Sequence, residues 1–377
     1  MSTTITEKRI GVTVKEFRKV WNAMRPVSTK NSMPILNYLK IRSNGATTTI
    51  TATNLDIEIT VEFPIRVGKF TAYCPSTMIA AGLKGAKAGA PVTFREDGFQ
   101  IGPARYQYGE QPDPVGESGR SPDDWPESLS AKLSPDGDLR NWSVPADAIL
   151  AASRYASVDE TRYIMNGIYF GKGEVAATDG RRLIVLPCPK MREEDFILRR
   201  SATVLAKHLF TDGDVGVDCN DEVCALRNIS DPLETEMIVR RIEGTYPKYN
   251  QVIPKEKNGE FEGYDSAWDI TLSATQGADV IKFLRAHPGK GKDKSTKLTM
   301  KGSTVEITHK GDDNENFKAS IEVDGFFGLD VNIAVNASLL ADLLEDCDAV
   351  LVKDELSPLV GTNDGKFRCL LMPLRLN

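Results

Sequence analysis

Asp179, set between Thr178 and Gly180, is a carboxylate that could serve as a nucleophile or general base. An Asp before a Gly is also what a tight turn between strands prefers, and turn chemistry explains the triplet without a catalytic partner. Other signatures of chemistry fail on their own terms. The run HPGKGKDKST at 287–296 has the glycines and lysines of a phosphate loop, but no Gly-Lys is followed by Ser or Thr, and the stretch before it is helical where a strand is required. GDDNENF at 311–317 begins like a calcium loop, yet Phe317 stands where the turn needs Gly and the terminal Glu is missing. No G-x-S-x-G elbow occurs, and no Cys or Ser has an identifiable base. The histidines His208, His287 and His309 lack metal-ligand spacing. The six cysteines form no CxxC pair and mostly sit in apolar runs such as FRCLLM, so buried reduced thiols are expected rather than disulfides or zinc. The chain is expected to have no catalytic residue, no metal and no cofactor.

Positive charge recurs on the stretches with helical periodicity. Lys15, Arg18, Lys19 and Arg25 lie on the first, Lys84 and Lys87 on the second, and Arg154 on the third. Arg199, Arg200 and Lys207 lie on the fourth, and Lys282 and Arg285 on the fifth, which leads into Lys290, Lys292 and Lys294. On any one helix such charges are an ordinary solvated face. Gathered on one surface they would neutralise DNA phosphates, even in a chain of formal net charge −6. The sixth stretch breaks the pattern with Asp342, Glu345, Asp346 and Asp348.

The elements that must position these residues repeat. At 377 residues the chain exceeds one ordinary core, and an apolar share of 41% supports globular folding throughout. No apolar run is long enough to cross a bilayer, and Glu7, Lys8 and Arg9 stand where a signal peptide needs its apolar stretch, so a cytoplasmic chain is expected. Val14, Phe17, Val20, Trp21 and Met24 have helical spacing; Leu55, Ile57, Ile59, Val61 and Phe63 alternate as in a strand with one buried face. Further helices are expected from near Cys74, Val144, Arg199, Ser273 and Val335. A spacing of roughly 55 to 75 residues makes each unit a half-domain with its own sheet and helix. The sequences at 51–64, 176–189 and 361–375 echo one another, each placing Thr and Asp before an apolar strand. Turn-rich linkers at 109–127, 132–140 and 253–263 then divide the chain into three domains at 1–136, 137–255 and 256–377.

Four stretches, ETRYIMNGIYF (160–170), ATDGRRL (177–183), EGTYPKYNQVIP (243–254) and the terminal LLMPLRL (370–376), resemble the bacterial replicative sliding clamps, the beta subunit of DNA polymerase III. NSMPILNYLKI (31–41) and TNLDIEI (53–59) are similar to that family's first domain, so the resemblance spans the chain. It implies an α+β clamp fold of three similar domains, each of two helix-plus-sheet units, closing a six-domain ring as a head-to-tail homodimer. It implies a polymerase processivity factor that encircles duplex DNA without reading its sequence, is opened by a clamp loader, and holds polymerase and other clamp-binding-motif proteins without enzymatic activity. The family's hydrophobic peptide pocket falls here on Met165, Thr178, Gly180, Arg181, Arg182, Leu183, Pro247, Val252, Leu370, Leu371, Met372, Pro373, Leu374 and Arg375. Lys30 and Tyr163 match DNA-touching positions, joining the helix charges named above, and the dimer seam is expected at Tyr106 and Tyr108 against Phe283 and Leu284. The chain departs from the family at Arg181, commonly His, at Gln251, often Arg, at Ile164, commonly aromatic, and by ending on Asn377. Two alternatives stand beside this reading: a clamp-fold accessory or phage-encoded binding protein outside bulk replication, and a hydrolase using Asp179.

Overall fold

One local pattern, a strand, a helix and a three-stranded meander, accounts for nearly every element of the chain. The computed structural model describes residues 12–109, 125–133, 142–190, 195–228, 233–257, 259–264, 268–271, 274–286, 295–301, 304–310, 316–322 and 330–375. The acid- and Pro-rich stretch at 110–124, most of the linker at 132–140, the basic run with Lys290, Lys292 and Lys294, and the calcium-like stretch at 311–315 lie outside the described residues.

The first half-domain is β1 (Val12–Thr13), α1 (Val14–Val27), β2 (Tyr38–Ser43), β3 (Thr48–Thr53) and β4 (Ile57–Phe63). The second is β5 (Phe70–Pro75), α2 (Ser76–Leu83), β6 (Pro91–Arg95), β7 (Gly98–Ile101) and β8 (Ala104–Gln107). The third is β9 (Trp142–Pro145), α3 (Ala146–Tyr155), β10 (Gly167–Gly171), β11 (Glu174–Thr178) and β12 (Arg182–Pro187). The fourth is β13 (Phe196–Arg199), α4 (Arg200–Leu209), β14 (Asp214–Cys219), β15 (Val223–Asn228) and β16 (Glu234–Arg240). After a small hairpin, β17 (Glu256–Lys257) and β18 (Glu260–Phe261), the fifth is β19 (Trp268–Thr271), α5 (Ala274–Ala286), β20 (Ser295–Lys301), β21 (Thr304–Lys310) and β22 (Asn316–Glu322). The sixth is β23 (Val331–Asn336), α6 (Ala337–Asp346), β24 (Ala349–Val352), β25 (Leu359–Asn363) and β26 (Lys366–Leu371). All six helices expected from periodicity are present.

Local chemistry explains their starts. The Glu16 amide donates to the Thr13 hydroxyl at 3.3 Å while the Thr13 amide donates to the Glu16 carboxylate at 2.9 Å, a reciprocal cap that opens α1. At α6 the Asn336 side chain accepts from the Leu339 amide at 3.1 Å.

The chain forms two compact units, Met1–Leu150 with Lys190–Ile242, and Ala151–Pro189 with Glu243–Asn377. In unit 1 an antiparallel sheet runs β5-β2-β3-β4-β16-β15-β14-β9, beside a four-stranded sheet β1-β6-β7-β8. Helix α1 packs against α4, and Phe17 is wholly buried with its ring 6.1 Å from Phe63 on β4 and 5.5 Å from Phe94 on β6. One side chain thus ties the helix to both sheets, and burying it contributes about 2 kcal/mol. In unit 2 the strands β10-β11-β12-β26-β25-β24-β19 are consecutive neighbours, the second sheet is β22-β21-β20-β23, and α5 packs against α6.

Two of the three sequence echoes, at 51–64 and 176–189, are equivalent turns. Asn54 accepts from the Asp56 and Ile57 amides at 3.1 and 2.8 Å, and Asp179 from the Arg181 and Arg182 amides at 2.9 and 3.1 Å. Asn220 accepts likewise from Glu222 and Val223, both at 2.9 Å, a member of the set that the sequence reading passed over.

That last turn also corrects the expectation for two cysteines. Cys219 and Cys224 stand opposite each other across β14 and β15 with Cα atoms 4.2 Å apart, and are joined by a disulfide. Antiparallel pairing brings opposed side chains together whatever their sequence spacing, which a search for CxxC passes over. Cys74, Cys188, Cys347 and Cys369 are free thiols. Thiol titration of the unfolded, unreduced protein should therefore count four free thiols, rising by two after reduction; a count of six without reductant would remove the bridge.

Candidate functional site

The residues of the expected pocket converge in unit 2 where β12 meets β26. Pairing there spans Arg182↔Leu371, Leu183↔Leu370 and Ile184↔Cys369. Beyond it the Met372 amide donates to the Arg181 carbonyl at 2.8 Å, and the Leu374 amide donates to the Ala334 carbonyl at 2.7 Å. The chain after β26 therefore passes from the 178–182 turn to β23, carrying Met372, Pro373 and Leu374 across the surface. Leu183, Leu370 and Leu371 are buried and form the floor, whereas Met372 is 41% and Val252 55% exposed. Exposed Arg181 and Arg375 stand at the ends of the two segments.

A second segment is fastened to the same turn. The Thr178 amide donates to the Tyr246 hydroxyl at 3.1 Å, and the Tyr246 ring packs with Tyr169 and Tyr249 at centroid distances of 5.5 and 6.1 Å. Burial pushes the Tyr246 hydroxyl well above its ordinary pKa, so it stays protonated. Tyr249 also bonds Glu174, and its amide donates to the Pro247 carbonyl at 2.7 Å, while the Val252 amide donates to the Tyr249 carbonyl at 3.1 Å. Pro247 and Val252 are thereby held on a tight turn anchored by buried tyrosines. Met165 lies half-buried in the loop at 157–166, where its carbonyl accepts from the Ser157 amide at 2.8 Å. In that loop Arg162 donates to the Asp179 carbonyl at 2.7 Å. Gly180 has φ +84°, and a Cβ there would lie 3.0 Å from the Arg162 Nη1, so the turn calls for glycine.

Arg182 differs from its neighbours in the expected pocket. Its side chain is 9% exposed and its guanidinium donates to Asp179 at 3.1 Å, to Asp342 on α6 and to the Arg154 carbonyl, while lying 4.8 Å above the Tyr155 ring. All of its donating nitrogens face protein, so it braces the pocket turn from behind. Arg154 pairs in turn with Asp346, and burial outweighs that arginine in pushing the Asp346 carboxyl above its usual range. Arg285 of α5 pairs with Glu345 and, at 3.5 Å, with Asp342. The acidic sixth helix is thus the partner of arginines from α3, β12 and α5. Arg154 and Arg285, both expected to face DNA, thus each have a carboxylate partner within unit 2. Asp179 is likewise engaged in turn bonds and in Arg182.

The remaining basic residues divide. Lys15, Lys19, Lys84 and Lys207 are exposed in unit 1, and Arg199 and Arg200 are half-buried where α4 begins. Arg18 donates to the Leu83 and Ala86 carbonyls at 2.7 and 2.9 Å, joining α1 to the end of α2. Lys30 is exposed on a loop with φ +62°, Tyr163 is 47% exposed, and Lys282 is exposed on α5. At the expected seam Tyr106 is half-exposed on the edge strand β8 and stacks on Phe99 at 4.7 Å. Tyr108 is 9% exposed and Leu284 wholly buried, so both serve core packing; Phe283 is half-buried. An apolar cavity lined by Ile270, Val280, Leu298, Leu340 and Leu344 has no polar group to orient a ligand and is interior packing space.

Sequence reasoning missed Tyr155, Tyr246 and Asp342, which hold the turn without lining the groove. The acids interrupting the basic pattern on the sixth helix were the available signal for Asp342.

Among the described residues, six repeats of this βαβββ pattern, joined through their last strands β4 with β16 and β12 with β26, define a clamp fold. The chain has the fold of the bacterial beta sliding clamps and resembles them along nearly the full length of both. It is 23% identical to the beta sliding clamp of Haemophilus influenzae, covering 93% of this chain and 94% of that one, and 25% identical to that of Caulobacter vibrioides, covering 93% and 95%. Among solved structures, a DNA polymerase III subunit beta sliding clamp from Bartonella birtlesii bound to griselimycin superposes with a TM-score of 0.73 at 20% identity, over 97% of this chain and 99% of that one. The beta subunit of DNA polymerase III from Thermotoga maritima gives 0.72 at 18% identity, over 98% and 99%. No family profile matches the chain.

Replacing Arg182 by Ala leaves Asp342 and Asp179 without their shared cation in a mostly buried site. The variant should lose about 3 kcal/mol of unfolding free energy in urea, whereas an unchanged denaturation midpoint would mean that Arg182 is not the brace.

Proposed function

We propose that this chain is a DNA polymerase processivity clamp, which encircles duplex DNA as a head-to-tail homodimer and binds partner peptides in the groove at Met372 and Val252. The observation that carries the reading is a pairing rule among the last strands of the half-domains. The first and fourth halves join through β4 and β16, and the third and sixth through β12 and β26. The last strands of the second and fifth halves, β8 and β22, each stand at a sheet edge. Two copies would complete the rule by pairing β8 of one with β22 of the other, twice, which closes three domains per chain into a six-domain ring. The domain boundaries proposed with it are 1–136, 137–255 and 256–377. A ring tethers polymerase by raising its local concentration, without tight DNA binding and without a catalytic site here. Opening it for circular DNA requires a loader, in which any nucleotide would be used.

Exposed Met372 and Val252 over a floor of buried leucines suit one or two hydrophobic anchors of a short peptide. Arg181, Gln251 and Ile164 depart from the common family residues, which favours a second reading, a clamp serving partners other than the main replicative polymerase. Processive synthesis with the host polymerase and loader separates the two.

Encirclement has a specific test. Loaded protein should stay on nicked circular DNA through a gel-filtration column in high salt and be lost when the circle is cut; equal loss from both would exclude a ring. Tyr108 donates its amide inward to the Asp97 carbonyl, so the alternating Gln107 amide faces the open edge of β8. Gln107→Pro should give monomers by light scattering, and persistence of the dimer would place the seam elsewhere.

For the groove, Met372→Asp should weaken binding of a clamp-binding peptide by about 2 kcal/mol, close to thirtyfold, with the dimer intact. Unaltered affinity by calorimetry would remove the assignment. Met372 is the better probe than Leu183, whose burial makes an Asp there a folding defect.

A further inference from the structure

We infer that the electrostatic contact with DNA is divided unequally along the chain, with the helices of unit 1 carrying it and the described helices of unit 2 close to neutral. This rests on the clamp reading and goes beyond it. In unit 1 the helices α1, α2 and α4 contain one acidic residue, Glu16, and its carboxylate is occupied by the Thr13 amide and hydroxyl at 2.9 and 2.7 Å. On α1, Lys15, Lys19, Asn22 and Arg25 form an exposed stripe at helical spacing, opposite buried Phe17, Val20, Trp21 and Met24. Lys84 and Lys87 follow α2, and Lys207 is exposed on α4, which packs against α1. Among the described residues none of Lys15, Lys19, Lys84, Lys87 or Lys207 has an ion-pair partner.

Unit 2 is arranged differently. Helix α5 contributes Lys282 and Arg285 but also Asp279, and α6 contributes Asp342, Glu345 and Asp346. Arg285 is held by Glu345 and Asp342, and Arg154 by Asp346. A phosphate approaching either arginine must compete with a carboxylate already in place and meets the rest of an acidic helix. The surplus lysines of unit 1 offer it no such competition. The ligand is the phosphate backbone of a duplex, with no preference for sequence.

Charge-neutralising variants and a salt titration test this. Binding to a short linear duplex, followed by fluorescence anisotropy, measures the charge pattern whether or not the protein forms a ring, and retention on the nicked circle measures encirclement separately. Failure of one therefore does not mimic failure of the other. The combined Lys15→Gln, Lys19→Gln and Lys207→Gln variant should flatten the plot of log affinity against log salt by about two to three units, close to 0.9 per phosphate contact. The Lys282→Gln, Arg285→Gln pair should change it by less than about one unit. Glu345→Gln, which removes the nearer of the two carboxylates that hold Arg285, should raise affinity severalfold, a gain that structural damage would not produce. Equal flattening by the two sets, or no gain from Glu345→Gln, would overturn the inference.

Discussion

An antiparallel strand that ends a meander presents a row of backbone amides and carbonyls to whatever lies beyond it, and these groups must bond to water or to another strand. The architecture follows from how this chain meets that requirement. In unit 1, β4 and β16 pair from Ile57↔Val239 to Glu62↔Glu234, so the meanders of the first and fourth halves become one sheet. In unit 2, β12 and β26 pair over the shorter stretch from Arg182↔Leu371 to Ile184↔Cys369. Past Leu371 the chain keeps one bond to the Arg181 carbonyl and then leaves for Ala334, so Met372 and Pro373 bridge the gap with their side chains uncovered.

Holding such a junction open requires that its turn be rigid without help from strand pairing. Arg182 supplies this through bonds in three directions and a ring beneath it, and the cost of dehydrating its charge is offset by carboxylates from two elements. Tyr246 acts on the other side, receiving the Thr178 amide. The acids of α6 consequently have a structural task, which explains why one helix in six breaks the basic pattern. Asp342 serves both Arg182 and Arg285, so the bracing of the groove and the charge of the helical face are set by the same carboxylate.

The repeat was legible in the sequence because amphipathic helices and alternating strands advertise their periods locally. Val14, Phe17, Val20, Trp21 and Met24 were read as one face, and all five are buried. The turn at 178–182 was legible as well, since Thr-Asp-Gly says turn, whereas its reading as part of a partner pocket came through resemblance alone. What stayed hidden were pairings between residues far apart in the chain. Arg154 and Asp346 are separated by 192 positions, and nothing in either local sequence foretells the ion pair. Cys219 and Cys224 were hidden for the opposite reason: they are close in sequence, yet only the register of the hairpin sets them face to face. Tyr108 and Leu284 were read as seam residues from position, and burial assigns them to the core.

The division of charge also fits the physics of a tether. A protein that grips DNA through many phosphate contacts gains affinity at the expense of mobility and becomes strongly salt-dependent. A protein linked to DNA by its topology stays bound however weak the local contacts are. Selection on its helices is then relaxed with respect to affinity, and acidic side chains become tolerable where another requirement calls for them. In this chain the other requirement lies in unit 2, where Asp342 is one of the groups that fix Arg182 behind the 178–182 turn. The same substitution in a protein that relied on affinity would have weakened its hold on DNA, so a net charge of −6 and a DNA-encircling role are compatible when retention does not depend on attraction.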